Sequence, residues 1–314
     1  MNALARTGRR TGAGLIPGSL LRWRNSSQNH SPQKVIVVSE DTVISQQTSL
    51  SGSTLEEDAI ALLREHEPVE GYYLAFSGGK DSIVIHDLTK RAGVKFKAHF
   101  HMTTVDPPEV TQFIRDNYPW VLWDRPKKSM FQIIVDHGTP PTRFRRYCCR
   151  ELKEIGGRGH TVILGIRGAE SARRKNRKSF EESRIDKGKF FVNPILSWAD
   201  QDVWGYIRQH GLKYPSLYDN GRTRIGCVLC PLQSHNGRLQ DLEDFPKFKK
   251  AYLLAFKRML EKISSEGKKH PCGWNTPEEV MNWWINGDRK SPLYSRSRKN
   301  FKRRRDHELS GVIA

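Results

Sequence analysis

The first 39 residues contain no aspartate or glutamate: Arg6, Arg9, Arg10, Arg22 and Arg24 all precede the first acidic residue, Glu40. A second acid-free stretch runs from Arg289 to Arg305 and holds nine lysines and arginines. No apolar run approaches the roughly 18–20 residues that a bilayer-crossing helix needs, so no membrane span is expected. No internal repeat is visible. Cysteine is scarce, with five in 314 residues. Their spacing suits a reducing compartment and a metal site better than disulfides.

What is present is positive charge. Lysine and arginine number 53 against 34 acidic residues, a formal net charge of +19. Such a balance favours polyanions, either nucleic acid or a strongly anionic substrate. Part of it sits in the tails, where it can equally serve solubility. The Arg-rich, acid-poor start has the composition of an organellar transit peptide. A disordered extension, or a start codon assigned too far upstream, accounts for it as well. Cytoplasmic residence is therefore expected, with targeting by residues 1–35 as the alternative. The Ser/Thr/Gln-rich run from Ser39 to Thr54 reads as linker.

Order is expected from Thr54, whose spacing to Glu57 is that of a capping box, with Leu55, Ala59, Leu62 and Leu63 on one helical face. Gly71–Phe76 reads as a buried strand, Asp81 to about Arg91 as a helix ending near Gly93, and Phe96–Met102 as a second strand. Pro107-Pro108 then starts a helix, Trp120–Trp123 is a third strand, and Met130–Val135 a short helix. Thr161–Ile166 and Phe190–Ile195 complete five strands, and Asp200–His210 is helical. Strands alternating with helices imply an α/β fold, a Rossmann-like parallel sheet with helices on both faces. From about Asp241 the pattern is helical, and the chain closes in a basic tail. The expected division is 1–54 as extension, 55–240 as the catalytic domain, 241–288 as a helical region and 289–314 as the tail.

Between the first strand and its helix lies Ser77-Gly78-Gly79-Lys80-Asp81-Ser82. Glycines allow a sharp turn and a close backbone approach to an anion, and the first N–H groups of the following helix point at it. Lys80 adds a mobile positive charge, and Ser77 and Ser82 add hydroxyls. The spacing is not that of the kinase and GTPase P-loop. Because ligands bind parallel sheets at the carboxyl ends of strands, Ser77–Ser82, Thr103–Asp106 and Arg167 are expected around one cleft.

Cys148-Cys149 and Cys227-Val228-Leu229-Cys230 supply four thiols. Four thiolates can close a tetrahedral zinc site or hold an iron–sulfur cluster. Adjacent cysteines suit a zinc knuckle poorly, whereas a cluster offers separate iron atoms to neighbouring thiolates. Arg143, Arg145, Arg146 and Arg150 flank one pair and Arg222 and Arg224 the other, and positive charge favours thiolate. Cys272 stands outside both pairs and reads as structural or incidental, with a reactive thiol as the alternative.

Taken together, Ala75–Ser82, Tyr147–Lys153, Gly165–Ser171, the Trp198-x-x-x-Asp202-Val203-Trp204 segment and Gly226–Pro231 resemble the iron–sulfur branch of the phosphoadenylyl-sulfate (PAPS) reductase family, within the adenine nucleotide α-hydrolase superfamily. The resemblance covers about residues 70 to 232. It implies an enzyme in which Ser77, Gly78, Gly79, Lys80, Asp81 and Ser82 hold the phosphates of ATP or the sulfate end of adenylyl-sulfate. It implies Arg167 on an anionic group of the ligand, with Lys80 and Asp81 beside it in catalysis. Cys148, Cys149, Cys227 and Cys230 would ligate a [4Fe-4S] cluster, with zinc as the alternative, and magnesium could accompany ATP. The family's reductases use a further cysteine near the C-terminus; residues Arg303–Ala314 contain none, and the neighbours of Cys272-Gly273 do not match. Two activities follow as expectations: an oxidoreductase acting on adenylyl-sulfate with a thioredoxin-like reductant, or an ATP-cleaving sulfurtransferase modifying DNA or tRNA with a sulfur donor. A non-catalytic nucleotide- or nucleic-acid-binding protein is the third.

Overall fold

The computed structural model describes residues 53–287. The expected basic tail and nearly all of the expected extension lie outside that range. Helix α1 (Leu55–Glu65) begins where its sequence signature placed it: Glu57 N–H donates to Thr54 Oγ1 at 3.2 Å and Thr54 N–H to Glu57 Oε2 at 2.8 Å. Strand β1 (Tyr72–Ala75) leads to α2 (Lys80–Ala92), which stops at Gly93 in the left-handed conformation, φ 73°. Ile83, Val84, Ile85 and Leu88 of α2 are fully buried, and the helix lies between α1 and α7 (Asp200–Gln209). Burial of each such aliphatic side chain contributes about 1.5–3 kcal/mol.

The sheet continues through β2 (Phe96–His101) and α3 (Pro108–Asn117, proline in its first turn) to β3 (Leu122–Asp124). After α4 (Met130–His137) and α5 (Tyr147–Leu152) the chain returns in β4 (Thr161–Ile163). A short 3₁₀ turn (Gly168–Glu170) and α6 (Ala172–Lys175) lead to β5 (Phe180–Glu182) and β6 (Phe190–Val192). The strand order is β3-β2-β1-β4-β6-β5. The chain winds outward from β1 through β2 to β3, then crosses back to β4 beside β1. With right-handed crossovers that reversal puts α2 and α3 on one face and α4 and α5 on the other. It also opens a crevice at the carboxyl ends of β1 and β4.

The fold class is as expected, α/β with a mostly parallel sheet, but one strand was not foreseen. β5 pairs antiparallel with β6, Phe180 opposite Val192. Its Phe180-Glu181-Glu182 is too short to show a period, and only the hairpin that joins it to β6 makes it a strand. The strand expected at Phe190–Ile195 is confined to Phe190–Val192, and the third strand starts two residues later than its apolar run. The carboxyl-terminal region is helical: α8 (His235–Asp244) runs across the expected boundary at 240/241, followed by α9 (Pro246–Ser265) and α10 (Pro277–Asn286). α9 packs along α4 and α10 against α9. No described helix is long and apolar enough to cross a membrane.

Candidate active site

The loop after β1 has the conformation its glycines permit. Gly78 sits at φ 71°, and a β-carbon there would lie 2.9 Å from Ile114 and 3.0 Å from Val110 of α3. Only glycine combines that backbone with that contact. Gly79 caps α2, Ser82 Oγ donates to Gly79 O at 2.8 Å, and Ser77 Oγ to Ser82 Oγ at 3.2 Å. The Lys80 N–H donates to the hydroxyl of Tyr218 at 3.0 Å, so a tyrosine distant in sequence closes over the helix start.

Lys80 differs from its sequence expectation. It is buried, 4% exposed, and its ammonium lies 3.1 Å from Asp200 and 3.6 Å from Asp81. It is an ion-paired element of the site rather than a mobile charge. Arg167, delivered by the chain after β4, is equally buried. Its Nε donates to Asp81 Oδ1 at 2.6 Å and its Nη2 to Asp200 Oδ1 at 2.8 Å. Close approach of the two segments depends on Gly165, where a β-carbon would stand 3.0 Å from the Asp81 carbonyl. Lys80, Asp81 and Arg167, expected to act together, therefore form one network, completed by Asp200 at the start of α7.

The two cysteine pairs also meet. α5 carries Cys148 and Cys149, and the thiols that act on Cys148 are Cys149, Cys227 and Cys230. All are free thiols. The adjacent thiols act on each other: that interaction, with burial, pushes Cys148 far up and, reinforced by Arg146 against burial, brings Cys149 down to about 6. Burial raises Cys227, opposed by Lys153, and the Cys227 Sγ donates to Thr103 Oγ1 at 3.5 Å. Thr103 is itself fixed by Asp106, at 2.7 Å through its N–H and 2.8 Å through its hydroxyl. Lys153, exposed one turn beyond Cys149, is pushed up chiefly by Cys227, then by Asp106, Cys230 and Cys149. Burial works against the Arg146 charge, and Cys149, then Glu154 and Cys148, more than restore it. Four thiols among cations fit a thiolate-ligated, negatively charged group in donor chemistry. Among the described residues no three His, Cys, Asp or Glu side chains converge as around a single metal ion.

Arg174, at the end of α6, joins the two halves. It pairs with Glu170; burial first, then Arg224, Arg146 and Arg167, lower its pKa, with Asp81 opposing. It thus lies in electrostatic reach of the loop through Asp81 and of the cysteines through Arg146. Cys272 lies in another setting, its N–H donating to His270 Nδ1 at 3.1 Å while the His270 ring bonds the Gly138 carbonyl.

Sequence reasoning missed Tyr218, Asp200, Arg174 and the role of Lys153. The spacing of Lys153 to Cys149, four residues along a helix, was a usable signal. Tyr218 had none, because its partner lies 138 residues away.

The phosphoadenosine phosphosulfate reductase domain matches residues 71–233, a span that holds the loop, Arg167 and all four clustered cysteines. Adenosine 5'-phosphosulfate reductase of Bacillus anthracis is 29% identical over 175 residues, 52% of this chain and 76% of that protein. Two uncharacterized proteins of Methanocaldococcus jannaschii are each 27% identical, over 55% and 65% of this chain. The matches span only 39% and 53% of the length of those archaeal proteins. Among solved structures, phosphoadenylyl-sulfate reductase from Candida auris in a phosphate complex aligns with TM-score 0.43 and 19% identity, over 58% of this chain and 96% of that one.

Proposed function

The chain belongs to the phosphoadenosine phosphosulfate reductase family, and on that premise we propose that it is an enzyme of sulfur chemistry that seats an adenine nucleotide, ATP or adenylyl-sulfate, at Ser77–Ser82 and holds an iron–sulfur cluster on Cys148, Cys149, Cys227 and Cys230. The observation that carries this reading is adjacency: the loop leaves β1, and Cys227 bonds Thr103 at the exit of the neighbouring strand β2. Arg174 is within reach of Asp81 on one side and Arg146 on the other, with Arg224 and Arg167 close by. Arg174 is paired with Glu170, yet burial and the neighbouring guanidiniums still disfavour its charge. An anion placed between the loop and the thiols would favour it.

The chain's own groups have distinct tasks in this scheme. The α2 amino terminus and the hydroxyls of Ser77 and Ser82 bind the phosphate or sulfate end. Lys80 and Arg167, fixed by Asp81 and Asp200, stabilise negative charge as it grows on the departing group. Lys153 and Arg146 offset the charge of the thiolates. A four-iron cluster bound there would supply a centre able to exchange single electrons beside the reacting anion.

Two acceptors are compatible with this cleft. The second reading, ATP cleavage with sulfur transfer to nucleic acid, is favoured by the rim next to Arg174. There Arg177, paired with Glu181, is pushed down by burial first and then by Arg173 and Arg184, so three cations share one stretch of surface. Such a rim suits a phosphate backbone. The test is anaerobic reconstitution with iron and sulfide, then two assays. Sulfite release from adenylyl-sulfate with a dithiol supports the reductase; pyrophosphate release from ATP, stimulated by tRNA or DNA in a salt-dependent way, supports the transferase. Absence of nucleotide binding to the reconstituted protein overturns both.

A further inference from the structure

We propose that Asp241 is the positioning residue that sets the Cys227–Cys230 turn for thiolate ligation, so that the helical region beyond the family-matched segment is part of the cluster site. The proposal rests on the cluster reading above. Inside the turn, Leu229 has φ 59°, a left-handed conformation that a residue with a β-carbon adopts only when held there. Leu229 is 1% exposed, so solvent cannot hold it. What holds it is Asp241 of α8, 2% exposed, whose Oδ2 accepts the Leu229 N–H at 2.7 Å. The other oxygen of Asp241 is paired with Arg222, which comes from the segment leading into the turn and also pairs with Asp244. One carboxylate therefore ties the entry of the turn to its strained centre.

The rest of the turn is fixed by equally specific bonds. Val228 donates its N–H to the Val105 carbonyl at 2.8 Å and its carbonyl accepts from the Tyr252 hydroxyl of α9 at 3.2 Å. Arg143 donates to the carbonyls of Pro231, Leu232 and Gln233 at 3.1, 3.0 and 3.2 Å. Those bonds locate the turn, and among the described residues it is the Asp241 side chain that bonds the residue in the unfavourable conformation. Without its acceptor, Leu229 relaxes to negative φ, and the directions of Cys227 and Cys230 change with it. The matched family segment ends at residue 233, so Asp241 and Tyr252 are supports supplied from outside it.

The test uses the full chain, reconstituted anaerobically, and reads bound iron, acid-labile sulfide and the visible thiolate-to-iron absorbance. Asp241→Ala is expected to retain less than a fifth of the wild-type iron with its far-UV circular dichroism unchanged. Adding Leu229→Gly to Asp241→Ala is expected to restore most of it, because glycine needs no acceptor to hold positive φ; a purely structural role for Asp241 predicts no such rescue. Should Asp241→Ala not fold, Asp241→Asn replaces it. That variant keeps an acceptor oxygen but loses the negative charge that pairs with Arg222, and a chelator is expected to strip its iron several-fold faster, with Leu229→Gly slowing the loss. Iron content and stripping rate equal to wild type in the Asp241 variants overturn the role of Asp241. A wild-type protein that takes up no iron and sulfide overturns the cluster reading itself.

Discussion

Arg167 and Asp81 are joined at 2.6 Å, a part-buried bond between the segment after β4 and the first turn of α2. It spans the crevice where the winding of the sheet reverses, and it carries Asp200 and Lys80 with it. Four charges of equal number and opposite sign thus converge where an anionic ligand is proposed to bind.

Arg167→Ala leaves Asp81 without its buried partner and is expected to cost about 3 kcal/mol, the scale for removing one member of such a pair. Urea unfolding checks it. Arg167→Lys keeps the charge but cannot reach Asp81 and Asp200 together, so a loss of more than half that size is expected for it as well.

Asp200 is the member that a ligand can displace. Its side chain is 59% exposed, yet its Oδ1 serves both Lys80 and Arg167. Asp200→Asn removes one negative charge from the network and is expected to tighten pyrophosphate binding several-fold at low salt, by titration calorimetry. Equal affinity in the two proteins would show that Asp200 does not compete for the anion seat.

Gly78→Ala places a β-carbon against Ile114 and Val110 in a left-handed backbone. The expected destabilisation is about 1–3 kcal/mol. Nucleotide affinity should fall with it, whereas Gly93→Ala, which meets no atom within 4 Å, should cost stability and leave affinity unchanged.

His86 gives a pH dependence of known sign. Burial first, then Lys90, push its pKa down from 6.5 to about 4, with Asp87 opposing, and its Nε2 accepts the indole N–H of Trp120 at 3.1 Å. Between those two pH values the unfolded chain binds a proton that folded His86 excludes. Stability therefore falls as pH drops from about 6.5 to about 4, by about 1.4 kcal/mol per pH unit and about 3 kcal/mol in all. His86→Asn should show a flatter profile across that window in thermal melts, and parallel profiles for the two proteins would remove His86 as the cause.

The local features of this protein were legible in its residues because their physics is local. The Thr54–Glu57 cap, the Gly93 stop, the proline start of α3 and the glycine turn after β1 each involve groups a few positions apart. The two cysteine pairs were legible as residues, and folding brings the charges of the other three to bear on Cys148. Five of the six strands could be read from apolar runs; β5 could not, because three residues carry no period. What only the tertiary structure decided is the pairing of distant charges. Sequence placed Lys80 as a free cation, whereas folding brings Asp200 to it from α7 and Tyr218 from beyond that helix. Sequence marked Cys227 and Cys230, whereas the acceptor that holds Leu229 between them comes from α8. Such contacts follow from where the sheet reverses its winding and where the last helices dock, and no spacing along the chain records either.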